Sequence, residues 1–380
     1  MVKLAAITWI PQPPTWRIDW DTINRACPWL ATLAATPQDP SYHAEGDVLT
    51  HTRMVTEALV ALAAWRALPA NDRAALLLAA LLHDISKPAT TTTDERGRIV
   101  APGHARLGAT TARGLLWSSE GIGAALGFSE REQIATLVRL HGLPLWFIER
   151  TNIEQAILPA SLRTRLSHVA LLAEADARGR ICADQQELLA RIALFRDWCG
   201  EHHCLDQPYP FPSAHSRVRY CRALQHDPTY HAYDDTWGEI TMLAGLPGVG
   251  KDTWLQAHAQ DRPSISLDAI RAELHIAPED NQGAVIETAK ARARVWLRQQ
   301  QPFNWNATNL TRQIRDPLIS LFLNYGARVR IIYLDAPLAP ILERNRGRRA
   351  AVPERIIRRL ATRTEPPDLT EAHGVTVVEA

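Results

Sequence analysis

Hydrophobic and polar residues follow two different patterns along the chain. From about Trp20 to Cys199, apolar residues recur at spacings of three and four, which predicts helices almost throughout and no strands. The predicted helices cover 49–65, 72–84, 104–118, 129–141, 153–177 and 183–198. This half of the chain is therefore expected to fold as an all-α bundle.

After Trp237 the pattern changes to short β-type runs that alternate with helical segments. The predicted strands cover 239–244, 264–267, 303–306, 328–334 and 375–378. Such alternation is typical of a parallel sheet covered by helices, so an α/β fold is expected here.

The segment between these halves, 201–236, is rich in Pro, His, Tyr and Asp. This composition predicts a linker with room for one short helix. The predicted organisation is a helical domain over 1–200 with its core at about 45–180, the linker, and an α/β domain over 237–380. Two domains also suit a length of 380 residues, which exceeds what a single core usually organises.

Composition and charge limit the classes of partner. Apolar residues make up 46% of the chain and charged residues 22%, which excludes a disordered protein. The formal net charge is +1, so a polyanion must be held by a local cationic patch. Eight arginines between Arg344 and Arg363, opposed there only by Glu354, form such a patch. They fit either a solvated helix face or a phosphate-binding surface.

The sequence predicts a protein of the cytoplasm with no membrane partner. The five cysteines are odd in number and include no CxxC pair, which favours a reducing compartment. The apolar start runs into Pro11, Pro13 and Pro14 without a small-residue cleavage site, so no signal peptide is expected. The longest apolar run, 74–82, is too short to cross a bilayer.

A glycine-rich segment follows the first predicted strand of the second half and opens a helix. In this context backbone N–H groups close around phosphates, and a lysine adds a mobile positive charge. A tight glycine turn is the structural alternative, but strand, loop, lysine and helix together favour binding of ATP or another NTP with Mg²⁺. The predicted nucleotide-binding residues are Gly245, Pro247, Gly248, Val249, Gly250, Lys251, Asp252 and Thr253.

Asp252 occupies the position at which Ser or Thr normally contacts Mg²⁺. Because a carboxylate is also a hard oxygen ligand, we expect Asp252 to contact the metal, with a structural cap as the alternative. The next predicted strand ends in Asp268, with Arg271 one helical turn later. Asp268 is placed to accept the proton of an attacking hydroxyl while Arg271 holds a neighbouring phosphate. Alternatively, Asp268 caps its helix and Arg271 is a surface residue.

Four motifs of the second half resemble, in order and context, those of phage-type 5′-polynucleotide kinases over nearly all of 239–380. They are GLPGVGKDTW at 245–254, Asp268-x-x-Arg271, NATNL at 306–310 and RNRGRRAAVP at 344–353. The resemblance implies that Asp268 is the general base on the 5′-hydroxyl and that Arg271 grips the phosphate next to the acceptor nucleoside. It also implies that Arg348 stabilises the transferring phosphoryl group, a role that Arg344 or Arg349 could share. That family has an acidic residue on the acceptor side of the site, and the corresponding position in this chain is Ala307.

Six metal-type residues lie on, or at the edge of, five predicted helices of the first half, two of them as a pair at the end of one helix. They are His51, His83, Asp84, His104, His141 and Asp176. A helical bundle can direct all of them to one site, and imidazole with carboxylate suits a divalent transition metal. A bridging carboxylate such as Asp84 would let two ions share a nucleophilic water. Each histidine alone is more often a structural residue than a ligand.

The surroundings of these residues resemble the HD phosphohydrolase superfamily over about 50–179. The motifs are His51-Thr52-x-Met54, LHDISKP at 82–88, GHA at 103–105, LHGLP at 140–144 and EAD at 174–176. The resemblance implies that the first His, the His-Asp pair and the last Asp hold one metal, and that the other histidines hold a second. Lys87 is expected to contact a substrate phosphate, or else to be an exposed helix-end cation. The cluster of Cys199, His202, His203 and Cys204 lacks the paired spacing of a zinc module.

The order of the two halves resembles the bacterial end-healing enzymes called HD-Pnk. The resemblance implies metal-dependent hydrolysis of 2′,3′-cyclic phosphate, 2′-phosphate or 3′-phosphate ends, and NTP-dependent phosphorylation of 5′-hydroxyl ends of RNA or DNA. A separate ligase is an expected partner, because no lysine lies in a Lys-x-Asp-Gly motif. Homo-oligomerisation stays open. The alternatives are an HD nucleotidase fused to a small-metabolite or nucleoside kinase, and a non-enzymatic nucleotide sensor.

Overall fold

A computed structural model describes residues 4–119, 121–277, 280–347 and 351–379. The chain divides into two compact units, Met1–Pro210 and Phe211–Ala380. The segment 201–236 is divided between them, because residues up to Pro210 belong to the first unit and residues from Phe211 belong to the second.

The first unit is built mainly of helices, as its apolar spacing predicts. Its elements are α1 (Trp20–Ala26), α2 (Val48–Ala61), α3 (Ala63–Arg66), α4 (Ala70–Leu82), α5 (Lys87–Thr90), β1 (Thr92–Thr93), β2 (Ile99–Val100), α6 (His104–Trp117), α7 (Phe128–Leu140), α8 (Leu143–Trp146), α9 (Ile153–Ser161), α10 (Leu166–Arg178) and α11 (Gln185–Glu201). Short 3₁₀ turns cover Leu4–Ala6, Pro28–Leu33 and Phe147–Glu149.

Helix α4 is the centre of this unit. Its nine residues from Ala74 to Leu82 are all apolar and all inaccessible to solvent. A helix that is apolar on every side must be surrounded by other elements, and α2, α7 and α10 pack against α4. The chain that leaves α4 therefore places the pair His83-Asp84 in the interior of the unit.

Three details of the first unit differ from the predictions. The helix predicted over 153–177 is two helices, α9 and α10, and the helix predicted over 49–65 is interrupted at Leu62, whose backbone is extended. The expectation of no strands is wrong, because β1 and β2 pair as a short antiparallel hairpin. Asp94 accepts backbone hydrogen bonds from Arg96 and Arg98 and so closes the turn of that hairpin.

The second unit alternates strands and helices as predicted. Its elements are α12 (Ala214–Cys221), β3 (Glu239–Ala244), α13 (Lys251–His258), β4 (Ser264–Ser266), α14 (Leu267–Leu274), α15 (Gly283–Arg298), β5 (Asn304–Asn306), α16 (Arg312–Asn324), β6 (Arg328–Asp335), α17 (Leu338–Arg346), α18 (Glu354–Ala361) and β7 (Gly374–Glu379). The Arg217 side chain of α12 donates to the carbonyl oxygens of Leu369 and His373, which anchors α12 to this unit.

The five strands β3 to β7 form one parallel sheet in the order β4-β5-β3-β6-β7. The chain runs from β3 to β4 and β5 on one side, and then crosses to β6 on the other side. The strand order therefore reverses at β3, and ligands of open α/β sheets bind outside the carboxyl ends of the strands at such a point. The residues that follow β3, β4 and β5 all emerge at this edge.

Candidate active sites

The structure brings the six predicted metal ligands of the first unit together. His51 comes from α2, His83 and Asp84 from the end of α4, and the others from α6, the end of α7 and α10. Five of them are buried, and the side chain of His104 is 27% exposed. His51 Nε2 lies 3.1 Å from Asp176 Oδ1, and His104 Nε2 lies 3.4 Å from His141 Nε2.

Asp84 lies between two groups of these ligands. Its Oδ2 is 3.1 Å from His83 Nε2 and 3.8 Å from His51 Nε2, whereas its Oδ1 is 3.6 Å from His104 Nε2. Of three groups among the described residues that are able to hold a metal, one consists of His51, His83 and Asp176 and another of Asp84, His104 and His141, and the third combines His51 with His43 and Glu45. The two oxygens of Asp84 thus face different groups, so that Asp84 would be able to contact two ions at once.

Several of these atoms lack the hydrogen bonds that buried polar atoms normally make. His51 Nε2, His83 Nε2 and Asp84 Oδ1 are buried and make no well-directed hydrogen bond with another described residue, although a carboxylate oxygen lies 3.1 Å from each of the two imidazole nitrogens. Such atoms are costly to bury unless they have a partner. Within each group the imidazole nitrogens and carboxylate oxygens lie within 4.8 Å of one another, and such donors suit a divalent transition metal. The donor set therefore fits one or two divalent metal ions.

Three of the histidines are oriented in the same way. Nδ1 of His83, His104 and His141 lies 2.7 or 2.8 Å from the backbone carbonyl oxygen three residues earlier. Because a carbonyl can only accept, Nδ1 carries a hydrogen in each ring, so Nε2 is the atom that offers a lone pair to a metal when the ring is neutral. Burial lowers the pKa of His141 to about 3, so this ring is neutral at working pH.

The Asp84 carboxylate is held in its charged form. Burial alone would raise its pKa, but His83 and Lys87 hold the pKa of Asp84 well below its usual range. Lys87 Nζ lies 2.7 Å from Asp84 Oδ2 and donates to Gln38 Oε1 at 2.6 Å. The Lys87 side chain is only 12% exposed, so it belongs to the metal-ligand cluster and is not an exposed helix-end cation.

Glu45 is a residue of this site that the sequence did not indicate. Its Oε1 lies 2.8 Å from Nδ1 of both His43 and His51, and its Oε2 accepts from the backbone N–H of Ile181 at 2.9 Å. For His51, Glu45 thus takes the place that a backbone carbonyl has for the other three histidines. Arg180, also not predicted, donates to both oxygens of Asp176, at 3.0 and 2.6 Å.

We expect Glu45→Gln to weaken divalent-metal binding by about 10- to 100-fold, because partners that orient a ligating histidine contribute that much to metal affinity. Titration of the metal-free protein with Mn²⁺ or Zn²⁺ measures the effect without any activity assay. Glu95→Gln, which changes an exposed glutamate of the β1–β2 turn, is the matched control. Equal affinities in the two variants would show that Glu45 does not position His51.

The glycine-rich segment between β3 and α13, residues 245–250, is a P-loop whose conformation needs its glycines. Gly245, Gly248 and Gly250 have φ angles of 144°, 82° and 110°. A Cβ atom on Gly245 would lie 2.7 Å from the carbonyl oxygen of Leu334 in the neighbouring strand. At position 245, any residue with a side chain would therefore have a strained backbone and would also clash with the neighbouring strand.

Lys251 opens α13 and folds over this loop. Its Nζ donates to the carbonyl oxygens of Gly245 at 3.1 Å and Leu246 at 3.0 Å, which places the ammonium group at the loop itself. In the next position, Asp252 Oδ1 accepts from Asn306 Nδ2 at 2.6 Å, which links α13 to the end of β5. Of the other predicted loop residues, Val249 is buried, Pro247 is half-buried and Thr253 is exposed.

Asp268 and Arg271 lie together after β4. Ser266 caps α14 by accepting from the backbone N–H of Ala269 at 3.3 Å, so the cap is not Asp268. Asp268 is 69% exposed and its carboxylate contacts the guanidinium of Arg271. Arg271 is not a free surface residue, because its Nε also donates to Gln282 Oε1 at 2.7 Å.

The arginine-rich segment also reaches the P-loop. Arg344 Nη1 lies 3.4 Å from the carbonyl oxygen of Val249. The Asn345 side chain makes two hydrogen bonds with the backbone of Val352, at 2.7 and 3.0 Å. Arg348 and Arg349, two of the arginines predicted to contact the transferring phosphate, lie outside the described residues.

Two protein-family models match the chain. One describes an HD domain and matches residues 48–177, a range that contains all six predicted metal ligands. The other describes an AAA domain and matches residues 240–367, a range that contains the P-loop, Asp268 and Arg271. The chain carries an HD domain followed by a P-loop kinase-like domain.

Similar solved structures include a protein assigned as a kinase from Chloroflexus aurantiacus J-10-fl, at 18% identity and a TM-score of 0.32. It matches over 38% of this chain and 86% of its own. A gluconokinase from Sinorhizobium meliloti 1021 has 19% identity and a TM-score of 0.29, over 38% of this chain and 83% of its own. No curated protein matches the chain. Within the described residues, no helix combines the length and apolar character needed to span a membrane.

Proposed function

We propose that this protein heals the damaged ends of RNA or DNA strands. The HD domain hydrolyses 2′,3′-cyclic phosphate, 2′-phosphate or 3′-phosphate ends, and the kinase-like domain phosphorylates 5′-hydroxyl ends. The two reactions leave the ends that a separate ligase requires. A ligase is therefore the proposed partner.

The Asp268–Arg271 pair is the observation that carries the nucleic-acid part of this proposal. An acceptor hydroxyl at the 5′ end of a strand is always followed by a phosphodiester on the same nucleoside. A carboxylate for the hydroxyl proton, with a guanidinium beside it for that phosphate, matches both groups at once. A free nucleoside or a small neutral metabolite has no phosphate there, so Arg271 would have no partner in its substrate.

The remaining kinase residues divide the work of phosphoryl transfer. The loop N–H groups and Lys251 would hold the β- and γ-phosphates of the NTP, and Asp252 would contact Mg²⁺. Gln282 keeps the guanidinium of Arg271 in place beside Asp268. Arg344 lies against the loop, and Arg344 with Arg348 would stabilise charge on the transferring group.

In the HD domain, His51, His83, Asp84 and Asp176 would hold one divalent transition metal ion, and Asp84, His104 and His141 a second. When bound, such ions act as Lewis acids and lower the pKa of a bound water. The chain itself contributes the fixed imidazole orientations and the charged Asp84. Lys87, beside Asp84, supplies a cation for a non-bridging oxygen of the substrate phosphate.

One oligonucleotide with a 5′-hydroxyl and a 2′,3′-cyclic phosphate tests both halves of the proposal. We expect the wild-type protein, with ATP, Mg²⁺ and Mn²⁺, to modify both ends, and to use free nucleosides at least about 100-fold less efficiently. Asp268→Ala should lower 5′ phosphorylation by about 10²- to 10⁴-fold, the usual contribution of a general base. The Asp268→Ala protein should still hydrolyse the 3′ end of the oligonucleotide.

Asp261→Ala, a change at another exposed acid of the same domain, is the control for Asp268→Ala. A preference for free nucleosides over the strand would replace the proposal with a nucleoside kinase. Loss of both activities in Asp268→Ala would contradict two independent sites.

A further inference from the structure

The cavity beside the HD metal ligands is larger than a terminal phosphate requires. Its volume is about 840 Å³, and Asp84, His104 and His141 form part of its lining. Cavities of about 300 to 1,000 Å³ typically enclose a whole drug-sized ligand. A phosphate held at the metal ligands would occupy only one part of this space, so the rest is available for the group to which the phosphate is attached.

The lining of the cavity favours an anionic ligand. Six cationic side chains line it, against four acidic ones. The cations are Lys87, Arg139, Arg150, Arg163, Arg180 and Arg191. Lys87 pairs with Asp84, and Arg180 with Asp176, inside the ligand cluster. The other four arginines lie in the lining outside that cluster.

Trp146 gives this wall an aromatic surface. It ends α8, five residues after His141, and remains 38% exposed in the cavity lining. The guanidinium of Arg191 lies 5.3 Å from the centre of its ring. Arg191 is itself fixed, because it donates to Glu187 at 2.7 Å and to the Leu145 carbonyl at 3.2 Å. A partly exposed indole in the wall of a cavity suits stacking with a nucleic-acid base.

Arg150 adds an unpaired charge close to Trp146 along the chain. It is an exposed residue of the lining, and its guanidinium has no ion pair or hydrogen bond with another described residue. By contrast, Arg191 is neutralised by Glu149 and Glu187. An uncompensated guanidinium in a phosphate-processing cavity is well suited to bind a second phosphate group.

We propose that Trp146 and Arg150 form a subsite for the strand that carries the terminal phosphate. Trp146 stacks on the base of the terminal nucleoside, and Arg150 binds the phosphodiester that joins this nucleoside to the rest of the strand. This inference rests on the function proposed above for the HD domain. It makes that domain selective for strand ends over cyclic mononucleotides, which offer a base but no second phosphodiester.

The test compares a single-stranded oligonucleotide ending in a 2′,3′-cyclic phosphate with the corresponding cyclic mononucleotide, in the presence of Mn²⁺. Arg150→Ala should lower the ratio of kcat/KM for strand over mononucleotide by about tenfold. It should also reduce the salt dependence of kcat/KM for the strand, by about 0.7 in the log–log slope. Trp146→Ala should lower kcat/KM for both substrates by about tenfold, whereas Trp146→Phe should retain most of it.

Two control variants change residues of the same unit outside the cavity lining. Trp9→Ala removes a half-buried indole and Arg17→Ala an exposed guanidinium, and both should behave as wild type. An unchanged substrate ratio and an unchanged salt slope in Arg150→Ala would overturn the phosphodiester contact. Trp146→Ala with wild-type kinetics on both substrates would overturn the stacking surface.

A binding measurement separates failure of the subsite from failure of the proposed function. The probe is a strand with a 3′-phosphate and a dye on its 5′ end, which blocks the kinase acceptor group, and its fluorescence anisotropy is followed. If the wild-type protein hydrolyses neither substrate, the hydrolytic function fails, and the subsite is still decided by this probe. Weakening by about fivefold or more in Arg150→Ala and Trp146→Ala, with no change in the controls, supports the subsite, whereas equal affinities reject it.

Discussion

Replacement of Asp84 by asparagine is expected to lower metal-dependent hydrolysis of phosphate ends by at least about 10³-fold in kcat. The amide keeps the shape of the side chain but removes the charge that faces both groups of metal ligands. Lys87, 2.7 Å from Oδ2 in the native protein, would then add positive charge to a cluster that has lost its central anion. Metal content of the purified variant and release of phosphate from a 3′-phosphorylated strand are the measurements.

Asp197→Asn is the matched control, because Asp197 is an exposed aspartate of α11 in the same unit. Thermal unfolding of the two variants distinguishes a lost site from a lost fold. Phosphorylation of 5′-hydroxyl ends by Asp84→Asn should match that of the wild type. Full hydrolytic activity with normal metal content in Asp84→Asn would exclude Asp84 as the carboxylate shared by two ions.

The P-loop domain could be predicted closely because its signals are local. The run from Glu239 to Ala244 is apolar and followed at once by the glycine-rich loop, so strand, loop and helix follow from adjacent residues. All five predicted strands form, each with bounds within one residue of those expected. The sequence did not reveal Gln282, which contacts Arg271 from a segment without a regular pattern.

In the HD domain, the clustering of the six candidate metal ligands could be predicted because most of them lie where an apolar helix begins or ends. The run from Ala74 to Leu82 predicts a fully buried helix, and whatever follows it must start in the interior. Glu45 could not be found in this way, because the residues before α2 show no periodicity. Its role is set by distant contacts, with His51 and with the backbone of Ile181.

The helix boundaries that were predicted wrongly also have physical reasons. Apolar spacing continues across 162–165, so periodicity alone cannot show that α9 and α10 are separate. Helix α9 continues through Pro159 to Ser161, and the break comes after it, where the backbone of Arg165 is extended just before α10 begins. The β1–β2 hairpin has only two residues in each strand, too few for an alternating pattern to be detected.

Lys251→Ala is expected to lower phosphorylation of 5′-hydroxyl ends by about 10²- to 10³-fold, as removal of one preorganised charge or donor from a transition-state site typically does. In the native protein the Lys251 ammonium lies at the loop carbonyls of Gly245 and Leu246, ready to meet the β- and γ-phosphates. Transfer of labelled phosphate from ATP to a 5′-hydroxyl strand measures the loss.

Lys290→Ala provides the matched control for Lys251→Ala, because Lys290 is a lysine of α15 whose ammonium pairs with Glu287 at 3.0 Å. That variant should phosphorylate strands at the wild-type rate. Since Lys251 lies in the P-loop domain and the metal ligands in the HD domain, hydrolysis of 3′ ends by Lys251→Ala should be unchanged. A Lys251→Ala protein that still transfers phosphate at the wild-type rate would mean that the reaction does not use this loop, and the kinase half of the proposal would fail.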